Sequence, residues 1–531
     1  MNEQSLENRT LIGKIKNIKN DVINVINQFP ITILFLLAIS IVSIIFIIIE
    51  DYKYEILEAL LPGLFISLSI ELGFEYKLLN KNKVLYAIPL VASVLSYSIL
   101  TIFDNEYMHM VVCGFDLALF ALIFYILYIN KENKLIFSHL IKSKFITSLF
   151  AYVLSSGILT CILAFNFLIL KFDDIWKIIG IFSIIISFFA NYLIFLSYLP
   201  KQDEEISVPK IYRTIIHKGL FYIYLLLIFI LYLYILKVIL IHKMPVGKFN
   251  WFGCFSLFFY IFFYLSVDET DGLIQEKFKK YGAFIMIPIL IMQVIGLYIR
   301  ISNYGLTTLR YMSIVFILMG LVFVVNSIIK QPVKRSFIGI IILSLLFTCT
   351  PLNIFDVPNR NQEHILKNTL SEAGAYNNGK LDENVKIDKK YMAKIESCYD
   401  YLQSSMGKKS KFYNEFTESK IMEDLNQYSN NYDYQLDNRK DFYYYYDMDN
   451  ETLDISKYGS MRKITGKSPV FKDIDKRVDN TDFFLKLKDD EKMIVYDLGD
   501  KYILFDSINY SYNEVDEEFE YIEWSGFLFE K

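Results

Sequence analysis

Between Ile299 and Tyr311 the chain reads IRISNYGLTTLRY, a short polar turn with an arginine on either side, set between two long apolar runs. Gly305, after Asn303 and Tyr304, supplies the positive φ that a tight interhelical turn needs. Arg300 stands at the end of the first run, where a cation complements the negative end of the helix dipole. Arg310 stands in the first turn of the second run, behind Thr307 or Thr308 as cap, where a cation is disfavoured. It therefore needs a partner. A structural ion pair is expected, with Glu50, Asp51, Asp104, Glu106, Asp173 or Asp174, or with the acidic C-terminal part. The alternative is a lipid phosphate, which a planar guanidinium can hold by two hydrogen bonds.

The runs flanking this turn are two of many. Over residues 30–355 apolar stretches near 20 residues long follow one another, the length that crosses a hydrocarbon core of roughly 30 Å as a helix. Eleven spans are expected, at 30–49, 56–76, 84–103, 108–129, 146–170, 178–199, 219–241, 250–266, 283–299, 311–329 and 337–354. The connections on the side of the N-terminus carry 21 lysines and arginines against 7 on the other side, the turn at 304–307 included. The positive-inside rule then puts the N-terminus in the cytoplasm, and an odd number of spans leaves the C-terminus outside. The first run is too long for a cleaved leader and is read as an anchor. Ahead of it Leu11, Ile15, Ile18, Val22, Ile26 and Phe29 recur at helical spacing among lysines, so residues 1–29 are read as a cytoplasmic amphipathic segment on the anionic leaflet.

Of the 531 residues 54% are hydrophobic and 17% aromatic, which excludes a wholly soluble chain. Residues 356–531 carry a net charge of −11 and the remainder +7. An acidic exterior is a poor partner for nucleic acid. Cys398 is the single cysteine after residue 355, so the C-terminal domain holds no internal disulfide. That domain, 356–531, reads as α+β: helices over 361–373, from Asp388 to Gly407 and after Ser410, then strands in FYYYYDM, TLDIS, DFFLKLK, KMIVYDL, KYILFD and EYIEWSGFLF, with a hairpin turn at Leu498–Lys501. The fold class expected is thus a membrane all-α bundle over 30–355, followed by an extracytoplasmic α+β domain with an antiparallel sheet.

Acidic groups within the spans are few. Asp116 lies near the middle of the fourth span and Glu71 in the inner half of the second, with Glu75 a turn on and Glu58 at the outer end. A carboxylate in lipid is expensive and is a functional candidate by default, as a proton or cation site. Glu71 is close enough to Glu75, Lys77 and the inner surface to snorkel or pair, which leaves Asp116 the sharper of the two. No catalytic residue, metal site or cofactor is read from the chain. Ser405-x-x-Lys408 lacks its companion motifs, the Asp447–Glu451 acids lack the glycine and closing glutamate of a calcium loop, and the five histidines share no ligand spacing.

The stretch YGLTTLRY after an arginine-ended span, then PLNIFDV, then Arg360, Gln362, Leu366, Leu370, Ala373, Gly374, Gly379, Lys380 and Leu381, resembles an uncharacterised family of bacterial polytopic membrane proteins. This is the domain of unknown function family forty-one fifty-three. Asp454–Tyr458 is similar to a D-I-S-G-Y stretch of that family, with Lys457 in place of the glycine. The resemblance implies a multi-pass protein of the bacterial cell membrane and brings no activity, cofactor or catalytic residue. The expected function is non-enzymatic, an envelope protein whose exterior domain binds a partner or envelope component, with the lipid bilayer and an anionic lipid as partners. A secondary transporter using Asp116 is one alternative. An envelope enzyme on a lipid-linked substrate is another, with Glu50 and Asp51 as acids and Arg310 as phosphate holder.

Overall fold

The computed structural model describes residues 22–530 except 104, 130–134, 173, 202–205, 242–247, 269–270, 378, 383–384, 386, 407–408, 423–424, 426–438, 446–459, 468, 470–480, 488–493, 498–500 and 514–517. The N-terminal segment before residue 22, the Asp454–Tyr458 stretch, the expected strand TLDIS and the Asp447–Glu451 acids lie outside the described residues. The chain divides into two compact units, Met1–Leu370 with Ser397–Tyr413, and Ser371–Glu396 with Asn414–Lys531.

The first unit is helical. Among the described residues ten helices are long and apolar enough to cross a membrane: α1 Pro30–Ile49, α2 Tyr54–Glu75, α3 Ala87–Phe103 behind a short 3-10 turn, α4 Glu106–Ile129, α5 Ile136–Leu168, α6 Ile175–Ser197, α7 Lys210–Ile241, α8 Lys248–Ser266, α9 Leu273–Tyr304 and α10 Thr308–Ile328. The chain is a multi-pass membrane protein. The eleventh run forms α11 Lys334–Cys349, only 16 residues long. It stops early because the chain turns at Thr350–Asn353.

α11 nevertheless lies along α4 from end to end and antiparallel to it. Lys334 Nζ donates to Ile129 O at 3.2 Å at one end, and Asn353 Nδ2 donates to Tyr107 OH at 3.1 Å at the other. Between them Gly114 lets Thr348 approach so closely that a Cβ there would sit 2.1 Å from Thr348 Oγ1. After the turn, α12 Asp356–Glu372 starts five residues before the helix expected from the apolar pattern. Buried Asn353 explains the early start: its Oδ1 accepts from Phe355 N at 3.0 Å and Asp356 N at 2.8 Å, which caps the helix.

In the second unit Gly374, at φ +77, ends α12, and a two-residue hairpin follows, β1 Tyr376–Asn377 with β2 Lys380–Leu381. Next come α13 Lys389–Ser404, whose last turns belong to the first unit, and α14 Lys411–Thr417. The sheet comprises β3 Arg439–Tyr445, β4 Ser460–Gly466, β5 Val495–Asp497, β6 Lys501–Asn513 and β7 Glu518–Glu530, all antiparallel, in the order β3-β6-β7-β4 with β5 also beside β6. Its core is Ile503, Phe505, Ile508, Tyr510, Trp524 and Leu528.

One expected strand is corrected. DFFLKLK contributes a helical turn, α15 Thr481–Leu485. Phe483 and Phe484 both pack on Phe505, at 5.8 and 6.2 Å between ring centroids, and a strand would have sent them to opposite faces. The sequence reading also passed over β4, whose residues are mostly exposed with Ile464 alone fully buried.

Candidate functional site

The turn between Ile299 and Tyr311 is built as a clasp. α9 ends at Tyr304 and Gly305 adopts φ +72 and ψ 179, a conformation open in practice to glycine alone. Three helix ends then converge on the turn. Leu306 N donates to Asn361 Oδ1 at 2.7 Å, and Gln362 Nε2 donates to Tyr304 O at 3.2 Å and Leu306 O at 3.1 Å. Thr307 is the backbone cap of α10, but its hydroxyl makes no capping bond. The amide of Thr308 is satisfied instead by Tyr401 OH at 3.0 Å, which also bonds Thr308 Oγ1 at 2.8 Å. Burial pushes the Tyr401 phenol up, opposed by its bonds to Thr308 and by the charge of Arg310. Tyr311 OH donates to Leu352 O at 2.9 Å and its ring meets Phe347 edge-on. Arg300 is half-buried near the end of α9.

Arg310 does not form the ion pair expected of it; among the described residues no carboxylate is its partner. Its Nη1 donates to Tyr304 O at 3.2 Å and Gly305 O at 2.6 Å, and its guanidinium lies 5.6 Å from the centre of the Tyr304 ring. The compensating negative charge is the C-terminal end of α9, whose last carbonyls lack intrahelical donors. Arg310→Ala should accordingly lower stability by about 1.5–3 kcal/mol, the worth of hydrogen bonds from a charged donor. Thermal unfolding in detergent reads this. Rescue by reversing the charge of any acid would contradict it.

Glu71 is fully buried and makes no use of Glu75 or Lys77. Its Oε1 accepts from Ile31 N at 2.7 Å, and its Oε2 from Thr32 N at 3.2 Å and Thr32 Oγ1 at 2.6 Å. It caps α1 from another helix, where the dipole favours an anion and Phe29 offers no capping side chain. Asp116 differs: it is 9% exposed and its Oδ1 has no hydrogen-bond partner. Two turns before it on α4, His109 Nδ1 lies 2.5 Å from Glu58 Oε2.

The fold also assembles a buried cluster that the sequence reading missed, at the end of the bundle opposite the clasp. Asp271 takes Arg213 Nη1 on Oδ1 at 3.1 Å, and His217 Nδ1 at 2.5 Å and Asp268 N at 2.9 Å on Oδ2. His217 Nε2 lies 3.4 Å from Ser138 Oγ. The order serine, histidine, aspartate is that of a nucleophilic triad, but the Ser138 hydroxyl already donates to Ser266 O at 2.7 Å, and Ser138 and His217 are fully buried. The cluster ties α5, α7 and the loop before α9 together. Arg213 and His217 are one turn apart on a π-helical stretch of α7, a spacing that was legible and overlooked.

At the clasp end a cavity of about 410 Å³ is lined by Ile47, Glu50, Tyr52, Trp176 and Lys177. Lys177 Nζ pairs with Glu50 at 2.7 Å and with Asp174 at 3.3 Å. Among the described residues no group of three His, Cys, Asp or Glu side chains is placed to hold a metal. A family model described as Domain of unknown function (DUF4153) matches residues 31–394. Neither a curated protein nor a solved structure matches the chain.

Proposed function

Since the chain belongs to the DUF4153 family, whose description names no activity, we propose from its geometry that it is a non-enzymatic protein of the bacterial cell envelope. In this reading an eleven-span body carries an extracytoplasmic α+β domain that binds a partner or an envelope component, an anionic lipid among them. The observation that carries it is the clasp. The residues on which the resemblance rests, Tyr304, Gly305, Arg310, Tyr311 and Gln362, spend their polar groups on backbone and on one another, which is the chemistry of a joint.

The topology is supported by two observations. α11 matches α4 end to end, which favours its crossing despite its length. The bonds between connections also join loops of one side only: Lys177 to Glu50 and Leu306 to Asn361 at one end, Tyr76 OH to Pro200 O, His139 to Tyr198 O and Arg213 to Asp271 at the other. Together with the lysine and arginine bias, this supports the reading in which the clasp and the C-terminal domain lie outside. A cysteine in place of Ser302 should therefore react with an impermeant maleimide on intact cells. Reaction only after permeabilisation, or a reporter after Lys531 active only in the cytoplasm, would reverse the orientation.

Transport through the bundle is the second reading, favoured by the unpartnered oxygen of Asp116. An enzyme acting on a lipid-linked substrate has less support, because Glu50 is already engaged by Lys177. Native mass spectrometry of the purified protein separates the readings: a retained polyprenyl phosphate would favour the enzyme over the joint.

A further inference from the structure

Near the clasp end of α2, α3 and α4 the helices pack in layers that can be followed from residue to residue. Ala59, Leu100 and Val112 form one small buried cluster. One turn deeper along each helix come Pro62 and Gly63 of α2, Ser96 of α3 and Asp116 of α4. The layer is polar where the Ala59, Leu100 and Val112 cluster is apolar. Ser93 of α3 presses against Gly63, with its Oγ 2.2 Å from where a Cβ would be, and that oxygen is buried without a partner, as is Asp116 Oδ1. Pro62 lies inside α2 and has no N–H to give to the carbonyl of Glu58, which is left with an unused lone pair. Oxygens thus accumulate at one depth: a carboxylate, hydroxyls and a freed carbonyl, with no described donor aimed at Asp116 Oδ1.

We propose that the Pro62–Gly63 break of α2, with Asp116 of α4 and Ser93 of α3, is a binding site for a monovalent cation, a proton or sodium, entered past Glu58 and His109. An unpaired carboxylate oxygen in an apolar bundle must take a proton or recruit a cation, and broken helices with freed carbonyls are how membrane bundles present oxygen ligands to such ions. Glu58 and His109 mark the way in. They pair at 2.5 Å one layer outward, and their side chains remain 24% and 33% exposed. The titratable groups around Asp116 are Glu58 on α2 and His109 and Cys113 on α4. Facing α3 contributes the buried hydroxyls of Ser93 and Ser96, and Thr348 of α11 lies against Gly114 on another face of α4. The inference stands apart from the partner-binding role of the exterior domain and survives if that role fails.

The test is covalent labelling of the full chain in nanodiscs with dicyclohexylcarbodiimide, which attacks protonated carboxyls in apolar surroundings, followed by peptide mass spectrometry. Asp116 should be modified, and above its titration the rate should fall about tenfold for each pH unit. If sodium is the ligand, sodium chloride should slow the reaction where choline chloride does not, and Ser93→Ala should weaken that protection. If the proton is the ligand, sodium should have no effect and pH alone should act. An Asp116 that stays unmodified, or whose modification ignores both pH and sodium, overturns the proposal. As a second reading, independent of reagent access, wild-type thermal stability should shift with pH or sodium and the shift should vanish in Asp116→Asn; an identical shift in that variant would also overturn it.

Discussion

Alanine at position 271 is expected to lower the stability of the membrane unit by about 3–5 kcal/mol, the range found when one member of a buried ion pair is removed and its partners stay behind. The Asp271 side chain is 3% exposed and serves three donors at once, from Arg213, His217 and the amide of Asp268. Without it the fully buried His217 loses its acceptor on Nδ1, and Arg213 loses its ion-pair partner. Asp271→Asn separates the causes: it retains the shape and one acceptor oxygen but not the charge, so it should recover part of the loss. Intrinsic tyrosine and tryptophan fluorescence during heating in detergent reads both variants. A loss under about 1 kcal/mol in the alanine variant would mean that water screens the cluster and that the triad-like order is incidental. A cycle with Arg213→Met would apportion the coupling.

That cluster shows where the sequence stopped being legible. Apolar runs announce helices because every turn of a span must face lipid or another helix, and ten of the eleven were found on that basis. Partners leave no such trace. Arg213 and Asp271 are 58 residues apart, and Tyr401 meets Thr308 across 93. Arg310 was expected to find an acid, but its partner is backbone, which has no letter in the sequence.

Glu71 could have been traced from the other end. Pro30 opens α1 behind Phe29, which cannot cap, so the first amides of that helix needed an acceptor from elsewhere, and a buried glutamate was the economical source. The misread strand DFFLKLK failed for a different reason. Two adjacent phenylalanines fit alternation poorly, and their common partner Phe505 is supplied by the fold. Gly305 alone could be read outright, since a glycine between two long helices in a tight polar turn has few other uses.

Gly305→Ala therefore tests the clasp most directly. The residue sits at φ +72 and ψ 179, where any side chain is strained by about 1–3 kcal/mol. A Cβ there would lie 2.5 Å from Ile365 Cδ1 and 2.6 Å from Gln362 Nε2, so strain is joined by collision with α12. Ile365 can yield; Gln362 cannot move without releasing Tyr304 O and Leu306 O, two carbonyls with no other side-chain donor in common. Strain and overpacking together should lower stability by about 2–4 kcal/mol. Gly157→Ala is the control within the same unit. It lies inside α5 with nothing within 4 Å of the place an added methyl would take, and alanine there should be neutral or stabilise by up to about 1 kcal/mol. Adding Gln362→Ala to Gly305→Ala should destabilise by less than the sum of the two, because the glycine variant has already disturbed that amide. Full additivity would mean that Gln362 keeps its place, and its bonds to Tyr304 O and Leu306 O, beside a bulkier residue 305.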